Sequence, residues 1–172
     1  MTKKIILSID PGAVSGWCIW DSQKGYVESG FGKPQKIALD VVDRFVELAS
    51  DGCDKIVAIE KWTAGGWMSH KTLIGMGKNL APWEMALEAR RMPAKAIIRV
   101  YPQQWRSKVL GRRVGTKGDV LKAHAVMVGK HLLGMQRSEL LDHNQAEAVC
   151  ISRWAQMQPM VVKKMIKKTG GR

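Results

Sequence analysis

Acidic residues are scarce in this 172-residue chain: 15 Asp and Glu stand against 28 Lys and Arg. The formal net charge of +13 and a pI near 9.9 set it apart from a generic soluble enzyme. A polyanion, with nucleic acid the leading choice, is the partner that such a balance fits. Cysteine is sparse too. Cys18, Cys53 and Cys150 are widely spaced, odd in number and free of any CxxC pair, which argues against a zinc cluster and a disulfide framework. Cys18 and Cys150 sit in apolar stretches and read as buried thiols of a reducing compartment. The histidines His70, His124, His131 and His143 do not cluster. No apolar run approaches a membrane span. Only five residues separate Lys3-Lys4 from Asp10, too few for a signal-peptide core, so a cytoplasmic protein is expected. No internal repeat and no linker divides the chain. One domain over 1–158 is expected, followed by a basic tail over 159–172 carrying Lys163, Lys164, Lys167, Lys168 and Arg172.

The few acids fall at telling places. Ile5-Ile6-Leu7-Ser8-Ile9 runs into Asp10, and Ile56-Val57-Ala58-Ile59 runs into Glu60. Apolar runs of this kind read as strands buried on both faces. A carboxylate at the rim of such a strand is costly to ionise unless something compensates it, and two brought together repel and create a cation site. Strands are predicted over 4–9, 16–20, 26–31, 55–60 and 96–100. Helices are predicted over 37–49, 71–91, 102–110, 116–133 and 141–157, with a kink or break at Pro82 and Thr116 as a cap. The order gives an α/β fold, a five-stranded mixed sheet flanked by helices, with the Glu60 strand parallel to the first. On the last helix Asn144 and Glu147 are three apart and share a face, while Ala146, Ala148 and Cys150 allow close packing on a sheet. Asp10, Glu60 and Glu147 can then converge. Hard oxygen ligands favour Mg²⁺ or Mn²⁺, and two such ions about 4 Å apart clamp a scissile phosphate.

Four segments together carry a family likeness: Ile9-Asp10-Pro11-Gly12 with Ser15-Gly16 behind it, Ala58-Ile59-Glu60, residues 104–111 followed by Lys117, and Ala146-Glu147-Ala148. The chain resembles the RuvC-type Holliday junction resolvases of the ribonuclease H-like superfamily over most of 4–156. The Asp-Pro-Gly turn alone would also suit a sugar-kinase-like ATPase, for which the chain is short and its charge unsuited. The resemblance implies four metal-site positions, of which Asp10, Glu60 and Glu147 match three. The remaining one, usually aspartate and sometimes histidine, is Asn144. Its amide can still ligate through the carbonyl but removes one negative charge. Three accounts stay open: a natural asparagine with Asp142 or His143 contributing, a junction binder with little activity, or an engineered Asp→Asn change that traps substrate.

The resemblance also implies that Arg106 and Lys117 lie near the scissile phosphate, where a cation stabilises developing charge. Arg112 and Arg113 are candidate phosphate contacts on the intervening loop. An aromatic just after the second acid stacks into the opened junction in the family. Trp62 or Trp67 is the substitute here, although neither falls at the usual offset. Trp83 is grouped with these two, whereas Trp17, Trp20 and Trp154 are assigned to the core. The expected activity is Mg²⁺-dependent cleavage of branched DNA by a homodimer with its interface on the 71–91 helix, in a bacterial or phage setting. Flaps, forks and R-loops are the alternative substrates.

Overall fold

Alternation in the first apolar run decides the layering. Lys4–Asp10 forms β1, with Ile5, Leu7 and Ile9 on one face and Ile6, Ser8 and Asp10 on the other. Ser15–Asp21 (β2) and Gly25–Gly32 (β3) follow as an antiparallel meander. Asp21 closes its last turn by accepting backbone N–H bonds from Gln23 at 2.8 Å and Lys24 at 3.2 Å. Pro34–Leu48 is α1, beginning three residues before the first apolar position of the predicted helix. Pro34 stands in the first turn, where its fixed φ suits a helix start. The structure, a computed structural model, describes residues 3–49, 52–62, 69–111 and 117–158. Asp54–Glu60 (β4) and Ile97–Val100 (β5) complete the sheet in the order β3-β2-β1-β4-β5, with β1, β4 and β5 parallel.

His70–Ala89 is α2, and it runs on through Pro82, so of the kink or break expected there the break does not occur. Proline lacks the N–H that would bond the Lys78 carbonyl, a loss of about 3 kcal/mol in a helix interior. Gln35 of α1 donates to that freed carbonyl at 3.4 Å. Trp83, Ala86 and Leu87, just beyond the proline, are buried in the core, and burying the large Trp83 and Leu87 side chains returns roughly 1.5–3 kcal/mol each. Packing therefore outweighs propensity. Trp83 is accordingly a core residue: it is fully buried and its indole N–H donates to Ser15 Oγ at 3.1 Å.

Pro102–Val109 (α3), Gly118–Leu133 (α4) and His143–Gln156 (α5) are the remaining helices of more than one turn among the described residues. The cap of α4 is Lys117 rather than Thr116, which lies outside the described residues. Helices α1 and α2 cover the Ile5, Leu7 and Ile9 face with Val42, Phe45, Trp83 and Leu87. On the opposite face Trp105 and the capping Leu110 of α3, Ala125 of α4, and Ile151 and Trp154 of α5 pack against Ile6, Ile56 and Ala58. Among the described residues, no helix is long and apolar enough to cross a membrane.

Candidate metal centre

The acids meet because of register and parity. In the parallel pairing Ile9 lies beside Ile59, so Asp10 and Glu60 are the next residues on adjacent strands. Both follow residues of the α5-facing side, Ser8 and Ala58, at a spacing of two. Helix α5 lies close against the sheet. Ser8 Oγ bonds the Ala148 carbonyl at 2.7 Å and Ser152 Oγ at 2.6 Å. Gly16 on β2 leaves room for the α5 backbone: a Cβ there would sit 1.9 Å from the Asn144 carbonyl oxygen. The α5 start is fixed by Asp142, whose carboxylate accepts the Asn144 N–H at 2.8 Å as an N-cap. One turn on, Glu147 is carried over the ends of β1 and β4.

One carboxylate oxygen from each of Asp10, Glu60 and Glu147 lies within 4.8 Å of the other two, and all three residues are buried. Burial, then repulsion from Glu60 and Glu147, pushes the Asp10 carboxyl well above its ordinary range. Burial and Glu147 likewise push Glu60 up to about 7. Glu147 is also raised by burial, opposed chiefly by Arg106 and then by His143 and Lys122. Arg106 reaches Glu147 Oε1 at 3.5 Å from its perch over the Trp105 ring, 5.1 Å from the centroid, and its Nε is buried without a hydrogen-bond partner. Three crowded hard oxygens under this charge pressure suit a hard divalent cation.

Asn144 sits one turn before Glu147. Its amide nitrogen donates to Asp142 Oδ1 at 2.9 Å, and its Oδ1 faces Gly12 in the turn after Asp10. Asp142 is thus engaged as a cap, and His143 lies 3.9 Å from its carboxylate. Lys117 is exposed at the α4 start. Trp62 is half-buried and lines a cavity of about 330 Å³ with Glu60, Met76, Gly77, Leu80 and Arg99. Trp67, Arg112, Arg113 and the tail 159–172 lie outside the described residues. Of the tryptophans assigned to the core, Trp154 is buried, while Trp17 and Trp20 are half-buried. Sequence reasoning missed Trp105, whose indole N–H donates to Glu60 Oε2 at 2.9 Å, and Lys122. Nothing in the chain's spacing marks either: Trp105 is the one buried residue of an otherwise polar short helix and reads as a core anchor, and Lys122 reads as one more surface lysine.

The mixed sheet in this order, with helices on both faces, is an α/β fold of the ribonuclease H-like class. Within that class the chain shares its fold with RuvC. It superposes on Thermus thermophilus RuvC in complex with Holliday junction substrate at a TM-score of 0.65 and 17% identity, covering 91% of this chain and 96% of that one. A second Thermus thermophilus RuvC structure gives 0.63 and 15%, with the same coverage. No family model matches the chain, and no curated protein matches it by sequence.

Proposed function

We propose that this chain is a metal-dependent endonuclease for branched DNA, four-way junctions above all. The observation that carries the proposal is the buried Asp10, Glu60 and Glu147 triad at adjacent strand ends of a RuvC-like fold with a net charge of +13. Asp10, Glu60 and Glu147 would hold Mg²⁺, or Mn²⁺ in its place, with the Asn144 carbonyl as a neutral fourth donor. The bound ions would activate water and neutralise charge at the scissile phosphate. Arg106 would exchange its carboxylate partner for the phosphate, and Lys117, Arg112 and Arg113 would hold neighbouring phosphates. Trp62, with Trp67, would stack on unpaired bases beside Glu60. We assign 1–158 to the nuclease domain and 159–172 to non-specific DNA attraction, weakened steeply by salt. Symmetric resolution calls for a homodimer, with α2 its proposed interface, working in the cytoplasm of a bacterium or a phage-infected host.

A Mg²⁺ titration on a synthetic four-way junction beside flap, fork, R-loop and linear duplexes tests this. Divalent-dependent nicking, strongest on the junction and leaving a 5′-phosphate, is expected. Preference for flaps or forks would move the substrate class, and tight junction binding with no product would make the chain a binding module.

Asn144 gives that last outcome its physical basis, because a neutral ligand weakens metal binding. Asn144→Asp is expected to lower the Mg²⁺ concentration needed for cleavage about tenfold, consistent with one added ligand charge. The same change forfeits the amide bond to Asp142 and sets two carboxylates together, so metal-free stability should fall. Unchanged or reduced cleavage in Asn144→Asp would rule out an inactivating substitution at 144 and leave asparagine as a native partner of Asp142.

A further inference from the structure

Trp105 is fully buried among Ile6, Ala58, Val100, Leu110 and Ile151, where a residue without polar atoms would fill the same space. Its one polar atom, the indole N–H, is spent on Glu60 Oε2 at 2.9 Å. The helix that carries it is aimed by its own start: Pro102 stands in the first turn, and Gln104 Oε1 accepts the Tyr101 N–H at 2.9 Å. We infer that Trp105 is a positioning residue for Glu60, holding one carboxylate oxygen so that the other is kept for a cation. This rests on the metal-site proposal above.

The choice of side chain fits the task. An indole donates only; it neither ligates a metal nor takes up a proton, so it can fix a carboxylate without competing for what the carboxylate binds. A hydrogen bond to a charged acceptor is stronger than a neutral one, and a buried ring cannot swing away from it. The same ring is the platform for Arg106, whose guanidinium turns to Glu147. Adjacent residues of α3 therefore address two of the three acids, the first as a neutral donor and the second as a cation. Partners of this kind, one bond removed from the metal, orient the ligand and typically alter metal affinity or activity 10–100-fold when lost.

The test is Mn²⁺ binding to the full chain without DNA, followed by the electron paramagnetic resonance of free Mn²⁺. It compares the unaltered chain, Trp105→Phe and Trp154→Phe. Trp154 belongs to the same core cluster and serves as the packing control. Trp105→Phe is expected to raise the half-saturating Mn²⁺ concentration about 10–100-fold, and Trp154→Phe to leave it unchanged while both lower thermal stability. Should Trp105→Phe fail to fold, benzothienylalanine at 105, which has sulfur in place of the N–H and the same outline, is expected to give the same shift. Unchanged Mn²⁺ affinity in whichever position-105 chain folds overturns the inference and leaves the metal site standing. An equal shift in Trp154→Phe reduces Trp105 to packing. An unaltered chain that binds no Mn²⁺ overturns the site itself.

Discussion

Asp10→Asn is expected to fold, to gain heat stability in metal-free buffer above neutral pH, and to lose the proposed divalent-dependent DNA cleavage by at least about a thousandfold. The gain follows from what the site costs when empty. Asp10, Glu60 and Glu147 are buried within 4.8 Å of one another, and Arg106 makes the single ion pair to them among the described residues. An acid whose folded-state pKa is raised is less willing to ionise in the fold than in the unfolded chain. For Glu60, raised from 4.5 to about 7, the penalty is absent below about pH 4.5, builds between 4.5 and 7, and is complete above. That interval is worth on the order of 3 kcal/mol, and Asp10 moves in the same direction. The metal-free protein should therefore lose stability as pH rises through this window. Asn at 10 removes a repelling charge and flattens the slope. The expected loss of cleavage follows from the same carboxylate, because Asp10 would help hold a metal whose charge stabilisation would be worth several kcal/mol of barrier. Calorimetry in chelator at pH 5 and pH 8, beside junction cleavage in Mg²⁺, checks both halves. A variant less stable than the parent at pH 8, or one that still cuts, contradicts a charge-strained metal site.

Much of this centre is legible in the amino-acid order because it depends on short-range rules. A strand with side-chain period two places Ser8 and Asp10 on one face and Ala58 and Glu60 on the corresponding one. Helical spacing aligns Asn144 with Glu147. What those rules lack is register. Nothing in Ile5-Ile6-Leu7 and Ile56-Val57-Ala58 states that Ile9 stands beside Ile59; the pairing depends on both sheet faces being filled at once. Pro82 misleads for the same reason: its local cost is real, but Gln35 and the burial of Trp83 and Leu87 reside in other elements or across the core. Trp105 is the clearest omission. By composition it is indistinguishable from Trp154, and only the position of α3 relative to β4 turns its N–H toward Glu60.

Among the described glycines the closest tolerance lies at Gly16, and Gly16→Ala should disrupt both stability and metal binding. An added methyl would come 1.9 Å from the Asn144 oxygen, 2.2 Å from its carbonyl carbon and 2.7 Å from the Gln145 nitrogen. These are backbone atoms, so no side-chain rotation relieves them, and α5 must retreat by roughly 1.5 Å to restore ordinary contact. The helix is not free to do so. Ser8 ties Ala148 and Ser152 to β1, and on its far side a Cβ at Gly129 would already meet Ala146 Cβ at 3.1 Å. Overpacking of this kind costs about 1–3 kcal/mol where neighbours can yield, and the upper end or more is expected here. Any retreat moves Asn144 first and Glu147 with it, so the triad opens and half-saturation by Mn²⁺ should rise steeply in whatever fraction folds. Gly75→Ala is the matched contrast: it lies within α2 with nothing within 4 Å of its added methyl, and should stabilise the protein by about 0.5–1 kcal/mol. Urea unfolding and Mn²⁺ titration of the two variants decide the matter. A Gly16→Ala chain within about 0.5 kcal/mol of the parent, the range of an ordinary surface change, and with unaltered Mn²⁺ affinity would show that the α5 start is not seated on β2 as closely as these distances require.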